Sequence, residues 1–311
     1  IYDDKIIEFH KIRSGKGIET SYIGNVSTSK FNCTNNHTAF FSDKNILFLE
    51  KLSETITQNG SVPGIQIATR VSAIPPNRNW SGDIHLHIKT ATEEMCNLTD
   101  NAIEYELELV KRGIKLSIES GFSTIQLHAA HGYLFASLLN RVVNKRMGKF
   151  SFGHLCWVKE LSAYIQTLSS AATFDIRVNI LDGLEEKTQE FEYKKQIIKE
   201  LASSGLQKIS LSNGFYDIDK ELIYPHGTLF ASENLTRASI LAKGNPNTVF
   251  SIAGNILNVV SPHSKLPANL SIAIGRALIA DPDAVVNFRA GKKAVCTLCD
   301  ECHYYSHGRE N

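Results

Sequence analysis

The chain has 311 residues, 33 Lys plus Arg against 32 Asp plus Glu, and six cysteines. A net charge of +1 offers no excess for nucleic acid or an anionic membrane, so neither is expected as a partner. No apolar run approaches the roughly 20 residues of a membrane span, and the cysteines are too sparse for a disulfide framework, so a cytoplasmic setting is expected.

Tyr2, Ile6 and Phe9, with Asp3 and Asp4 beside them, predict an opening helix. Short apolar strands are then expected at 18–24, 64–69, 124–129, 174–180, 208–213, 248–254 and 270–275. Between them, Ile103, Leu107, Val110 and Ile114 form a helical stripe. Ile197 and Leu201 begin another that stops at Ser203-Ser204-Gly205. His85 and His87 alternate with Leu86 and are expected as solvated positions on a strand or loop. Strand–helix alternation implies a parallel sheet with right-handed crossovers. No linker divides the chain, so residues 1–311 are expected to form one domain.

Three strands carry one polar residue among apolar neighbours of the opposite parity. Gln66 sits between Ile65 and Ile67, His128 follows Leu127, and Arg177 lies between Ile176 and Val178. With the apolar sets facing outer helices, an amide, an imidazole and a guanidinium point into the sheet's interior, and together they suit a flat ligand with carbonyls and ring nitrogens. His128 and His131, three residues apart and followed by Tyr133, can converge on one oxygen with a proton donor beside it. Glycines after the last two strands, Gly254 before Asn255 and Gly275 before Arg276, let backbone N–H groups approach a phosphate.

The segment 121–146, with His128-Ala-Ala-His131-Gly-Tyr133-Leu and Asn144-Lys145-Arg146, resembles the old yellow enzymes, and so does Gly275-Arg-Ala-Leu-Ile-Ala-Asp-Pro-Asp283. The resemblance implies a (β/α)8 (TIM) barrel, an FMN cofactor, NAD(P)H as reductant and an enone-type substrate whose C=C bond is reduced. It implies Gln66 and Arg177 at the flavin ring, and Gly254, Asn255, Gly275 and Arg276 at its phosphate. His128 and His131 would hold the substrate carbonyl and Tyr133 would protonate carbon. A non-reductive isomerase or cyclase, or a flavin-free partner subunit, are the alternatives. Seven strands are one short of a closed barrel, and residues 4–17 resemble the family's first helix, so strand one is expected to be missing from the sequence given. The edges exposed by that gap would favour a homo-oligomer.

Departures from the family pattern predict altered walls. The Gln strand continues as Ala68-Thr-Arg-Val-Ser72 where a His-containing turn is usual, and Met147-Gly-Lys-Phe-Ser-Phe-Gly153 with Cys156 and Trp157 replaces another expected motif. The second strand of the pattern carries Glu19, Thr20 and Ser21 at positions expected to be small or apolar. Cys296, Cys299, Cys302 and His303 could together form a zinc set, but no metal is expected.

Overall fold

The computed structural model describes residues 3–33, 38–70, 83–216, 220–299 and 301–302. Its strands are β1 (Thr20–Ser27), β2 (Ala39–Phe40), β3 (Val62–Ala68), β4 (Thr124–Ala129), β5 (Thr173–Leu181), β6 (Lys208–Asn213), β7 (Val249–Ile252) and β8 (Leu270–Ile272). The helices are α1 (Asp4–Lys11), α2 (Ile46–Gln58), α3 (Ile84–Asn97), α4 (Asp100–Glu119), α5 (Leu134–Leu138), α6 (Cys156–Leu168), α7 (Lys187–Ala202), α8 (Lys220–Ile223), α9 (Thr228–Gly244), α10 (Arg276–Ala280) and α11 (Ala284–Arg289). All strands join one parallel sheet in the order β2-β1-β3-β4-β5-β6-β7-β8.

Local sequence fixes the helix starts. The Asp3 carboxylate accepts from the Ile6 N–H at 3.2 Å, and the Thr99 hydroxyl accepts from Ala102 at 3.1 Å. The expected stripe of α4, Ile103 to Ile114, is buried against the sheet. Every residue of β4 is buried, because a parallel strand is covered by helices outside and by side chains inside.

The seven expected strands form, but the sheet holds an eighth member. The two-residue β2 pairs Val26 with Ala39 and Ser27 with Phe40, at the C-terminal end of β1. Among the described residues no pairing joins β8 to β1 or β2. The helix layer nonetheless spans that side: Arg13, just after α1, donates from Nε to the Leu278 carbonyl at 2.7 Å, and Lys16 pairs with Asp283 at 2.7 Å. β1 runs to Ser27 rather than Gly24 because a register shift between Ile23 and Asn25 re-aims it. β7 and β8 stop at Ile252 and Ile272, short of their expected ends, where the chain turns into glycine loops.

The expectation for His85 and His87 is corrected. Both lie in α3, whose start is capped by Asp83 accepting from His85 at 3.0 Å and Leu86 at 3.1 Å. Three residues are too few to distinguish alternation from a helical turn, and the Asp cap decides the matter.

A buried ionic cluster pins the segments following β4 and β5. Lys194 of α7 reaches Asp182 at 2.5 Å; Asn140 donates to the same carboxylate at 2.5 Å and Asn179 at 2.6 Å. Glu190 accepts from the Gly183 N–H at 3.0 Å, and burial, with Asp182 adding to it, raises its carboxyl to about 7.

Candidate active site

Gln66, His128, His131, Tyr133 and Arg177 line a single cavity of about 330 Å³ at the C-terminal ends of the strands. The loop residues Gly254, Asn255, Gly275 and Arg276 line the same cavity. Interior-facing positions on β3, β4 and β5 supply the first group because their register is in step: Gln66 is level with Gln126, and His128 with Arg177.

The imidazoles are held edge to face, with ring centroids 5.1 Å apart, and Tyr133 lies 4.5 Å from His128. The Ala130 N–H donates to His128 Nδ1 at 3.3 Å, which leaves the proton of a neutral ring on Nε2. His131 Nε2 meets the Ser212 hydroxyl at 2.8 Å, and Arg177 donates to the same oxygen at 3.1 Å. Burial, reinforced by the Arg177 charge, holds both histidines well below their ordinary pKa. They are therefore neutral N–H donors, not cations. His131 takes φ +61° and Gly132 φ +87°, so the turn folds back tightly enough to bring both rings together.

Burial sets a pH dependence of stability. His10, buried beside Ser21 at 3.0 Å, is pushed down to about 4, first by burial and then by Arg13. Below pH 6.5 the unfolded chain takes up protons that the folded chain refuses, so stability falls as pH drops from about 6.5 to 4. His10 alone should remove about 3 kcal/mol across that window, with His128 and His131 acting in the same direction. Urea unfolding at pH 7, 5.5 and 4.5 checks this; a flat stability through the window would contradict it.

The glycine-loop end of the cavity is strapped by a segment the sequence did not flag. Arg276 donates from Nη2 to the Pro225 carbonyl at 2.8 Å, and Asn255 donates to the His226 carbonyl at 3.0 Å. Gly254 has φ +106°, a backbone conformation that L side chains rarely adopt, so glycine is favoured there. At Gly275 the space a Cβ would take is open. An acceptor-and-donor amide, a guanidinium, and two glycine loops carrying a second guanidinium are the donor set that a flavin mononucleotide's ring and phosphate require.

Sequence reasoning missed three wall residues. Asn25 donates to the Tyr133 phenol oxygen at 3.4 Å, and the bulge that aims it is invisible in β1's residue pattern. Tyr216 and Tyr224 share a hydrogen bond over the cavity, and Tyr216 packs edge-on to His131 at 5.9 Å. Glycine and aromatic residues in 214–224 were the available signal. Cys296 also lines the cavity, whereas Cys299 and Cys302 are exposed; His303 lies outside the described residues.

The altered walls serve packing. Thr69 and Asn32 both donate to the buried Glu106, Asn32 at 2.8 Å, tying β3 to α4 where the resembled family usually has a His-containing turn. Val71 and Ser72 lie outside the described residues. Trp157 is buried and stacks on Phe135 at 4.9 Å. Thr20 and Ser21 begin β1, where Ser21 meets His10. No described helix is long and apolar enough to cross a membrane.

Residues 3–294 match the family described as NADH:flavin oxidoreductase / NADH oxidase. A probable NADPH dehydrogenase of Candida albicans is 24% identical over 304 residues, covering 86% of this chain and 72% of that protein. An NADPH dehydrogenase of a Geobacillus species is 24% identical over 66% of this chain and 60% of its own length. Among solved structures, a 2-naphthoyl-CoA reductase complex superposes with TM-score 0.73 at 18% identity, over 99% of this chain and 50% of that one. A 6-hydroxypseudooxynicotine amine oxidase from Pseudomonas geniculata gives 0.76 at 14% identity, over 99% and 48%. The chain thus spans about half the length of these structures, and the likeness gives the (β/α)8 barrel fold. The chain belongs to the NADH:flavin oxidoreductase / NADH oxidase family, the old yellow enzymes, whose FMN-dependent oxidoreductases draw on NAD(P)H.

Proposed function

We propose that this cavity binds FMN and that the protein reduces the C=C bond of an α,β-unsaturated carbonyl compound with NAD(P)H. The carrying observation is the convergence of two neutral imidazoles and a phenol beside Gln66 and Arg177 in one cavity. Gln66 and Arg177 would hold the flavin ring, and Gly254, Asn255, Gly275 and Arg276 its phosphate. Bound FMN supplies the hydride.

His128, through Nε2, and His131 would donate to the substrate carbonyl oxygen, stabilising the negative charge that develops there. Their neutrality suits this role, because they polarise the oxygen without surrendering a proton to it. Tyr133 would give its proton to the α-carbon. Asn25 donates to the phenol oxygen, and a donor there stabilises the phenolate left behind.

A phenolate ligand tests the clamp, because its anionic oxygen fits between two imidazole donors. Titrating para-substituted phenols into FMN-loaded protein should give a long-wavelength charge-transfer band. His128→Ala with His131→Ala should abolish that band while FMN stays bound. A retained band at unchanged phenol affinity would make both histidines structural.

Arg276→Ala tests the phosphate end. A charge-assisted phosphate contact contributes about 1.5–3 kcal/mol, so FMN affinity should fall roughly 10- to 100-fold. Riboflavin, which lacks the phosphate, should bind parent and variant alike; an equal loss for riboflavin would refute the assignment.

A further inference from the structure

Beneath the cavity floor, the barrel interior holds a connected chain of polar side chains that no step above uses. The Asp175 Oδ2 oxygen accepts from the Tyr22 phenol at 2.7 Å, the Ser210 hydroxyl at 2.8 Å and Gln126 Nε2 at 2.5 Å. The Gln126 carbonyl oxygen in turn accepts from Gln66 Nε2 at 2.5 Å. Asp175 and Gln126 are buried, on adjacent strands in matched register. Ser251 extends the chain by donating to Ser210 at 2.9 Å.

This chain has a direction. A carboxylate has acceptors only, so Gln126 must turn its NH2 toward Asp175 and its carbonyl toward Gln66. Rotating the Gln126 amide would set a carbonyl oxygen against a carboxylate oxygen 2.5 Å away. Gln66 must then direct its NH2 side to Gln126, using one of its two N–H donors, and its carbonyl oxygen faces the cavity that Gln66 lines. Among the described residues nothing donates to that oxygen. Burial, with the neighbouring Asp175, raises the Tyr22 phenol far above its ordinary range, so Tyr22 stays a donor and reinforces the same sense.

We infer that Asp175 and Gln126 are positioning residues that fix the Gln66 amide with its carbonyl oxygen toward the ligand, making this end of the cavity a hydrogen-bond acceptor selective for a ring N–H. The inference rests on the FMN reading, in which the ring N–H is the imide N3–H of the flavin. An amide free to rotate would offer donor or acceptor equally and would accept a ring lacking that hydrogen. The relay removes this choice before the ligand arrives, so no ordering cost falls on binding.

The test uses the whole protein loaded with FMN labelled with nitrogen-15 at N3. The parent should show a downfield N3–H proton resonance protected from solvent exchange, the signature of a held hydrogen bond. Gln126→Met removes the polar link at similar volume; the resonance should move upfield and lose its protection, and FMN affinity should fall about 5- to 10-fold. Gln126→Glu should restore both, because a protonated Glu donates to Asp175 while its carbonyl still accepts from Gln66. Asp175→Leu, which removes the terminal acceptor at similar volume, should behave like Gln126→Met and serves if that variant does not fold. A parent-like N3–H signal in either Gln126→Met or Asp175→Leu overturns the relay while leaving the FMN reading intact. A parent that binds no FMN overturns the reading and the relay together.

Discussion

Tyr133→Phe is expected to slow reoxidation of the reduced enzyme by an enone about 10²–10⁴-fold, while leaving flavin reduction by NAD(P)H nearly unchanged. The proton donor takes part only in the second half-reaction, and Tyr133 is the phenol packed 4.5 Å from His128 and bonded to Asn25. Stopped-flow absorbance at the flavin band separates the halves. Equal, modest slowing of both would mark Tyr133 as a packing residue of the turn before α5. Asn25→Leu should slow the same half-reaction by a smaller factor, on the order of tenfold, because one hydrogen bond to the departing phenolate is lost. A nitroalkene substrate, whose product anion can leave unprotonated, should be less sensitive to both changes.

The largest stability loss is expected at Lys194→Met. Lys194 is 4% exposed and Asp182 0% exposed in their ion pair, so the substitution strands a buried carboxylate beside Glu190. Breaking one side of such a pair costs about 3–5 kcal/mol, and urea unfolding should show it as a lowered midpoint. Removing the second charge as well, by Asp182→Asn with Lys194→Met, should recover part of the loss. If the single substitution left the midpoint unchanged, the cluster would be solvated rather than buried. The effect on catalysis should be secondary, since none of these groups reaches the cavity.

The two predictions depend on different kinds of information. Tyr133, His128 and His131 stood out in the sequence because a strand ending in two imidazoles and a phenol, with polar residues at buried parity, has few structural uses. Strand and helix order was legible for the same reason: periodicities of 2 and 3.6 and an acidic helix start such as that at Asp3 act within a few positions of chain. The short β2 was not legible, since two residues carry no periodicity, nor was the helical setting of His85 and His87.

Long-range partners were decided by tertiary structure alone. Lys194 and Asp182 are near in sequence but draw in Asn140 from another loop, and Asp175 and Gln126 form a relay only because β4 and β5 align level with each other. Asn25 reaches Tyr133 through a bulge in β1, and Pro225 meets Arg276 across 51 positions. A polar residue at a buried position announces that a partner must exist, because its desolvation has to be offset; the sequence determined that need. Which partner answers it depends on strand register and loop path, and these follow from packing the whole barrel.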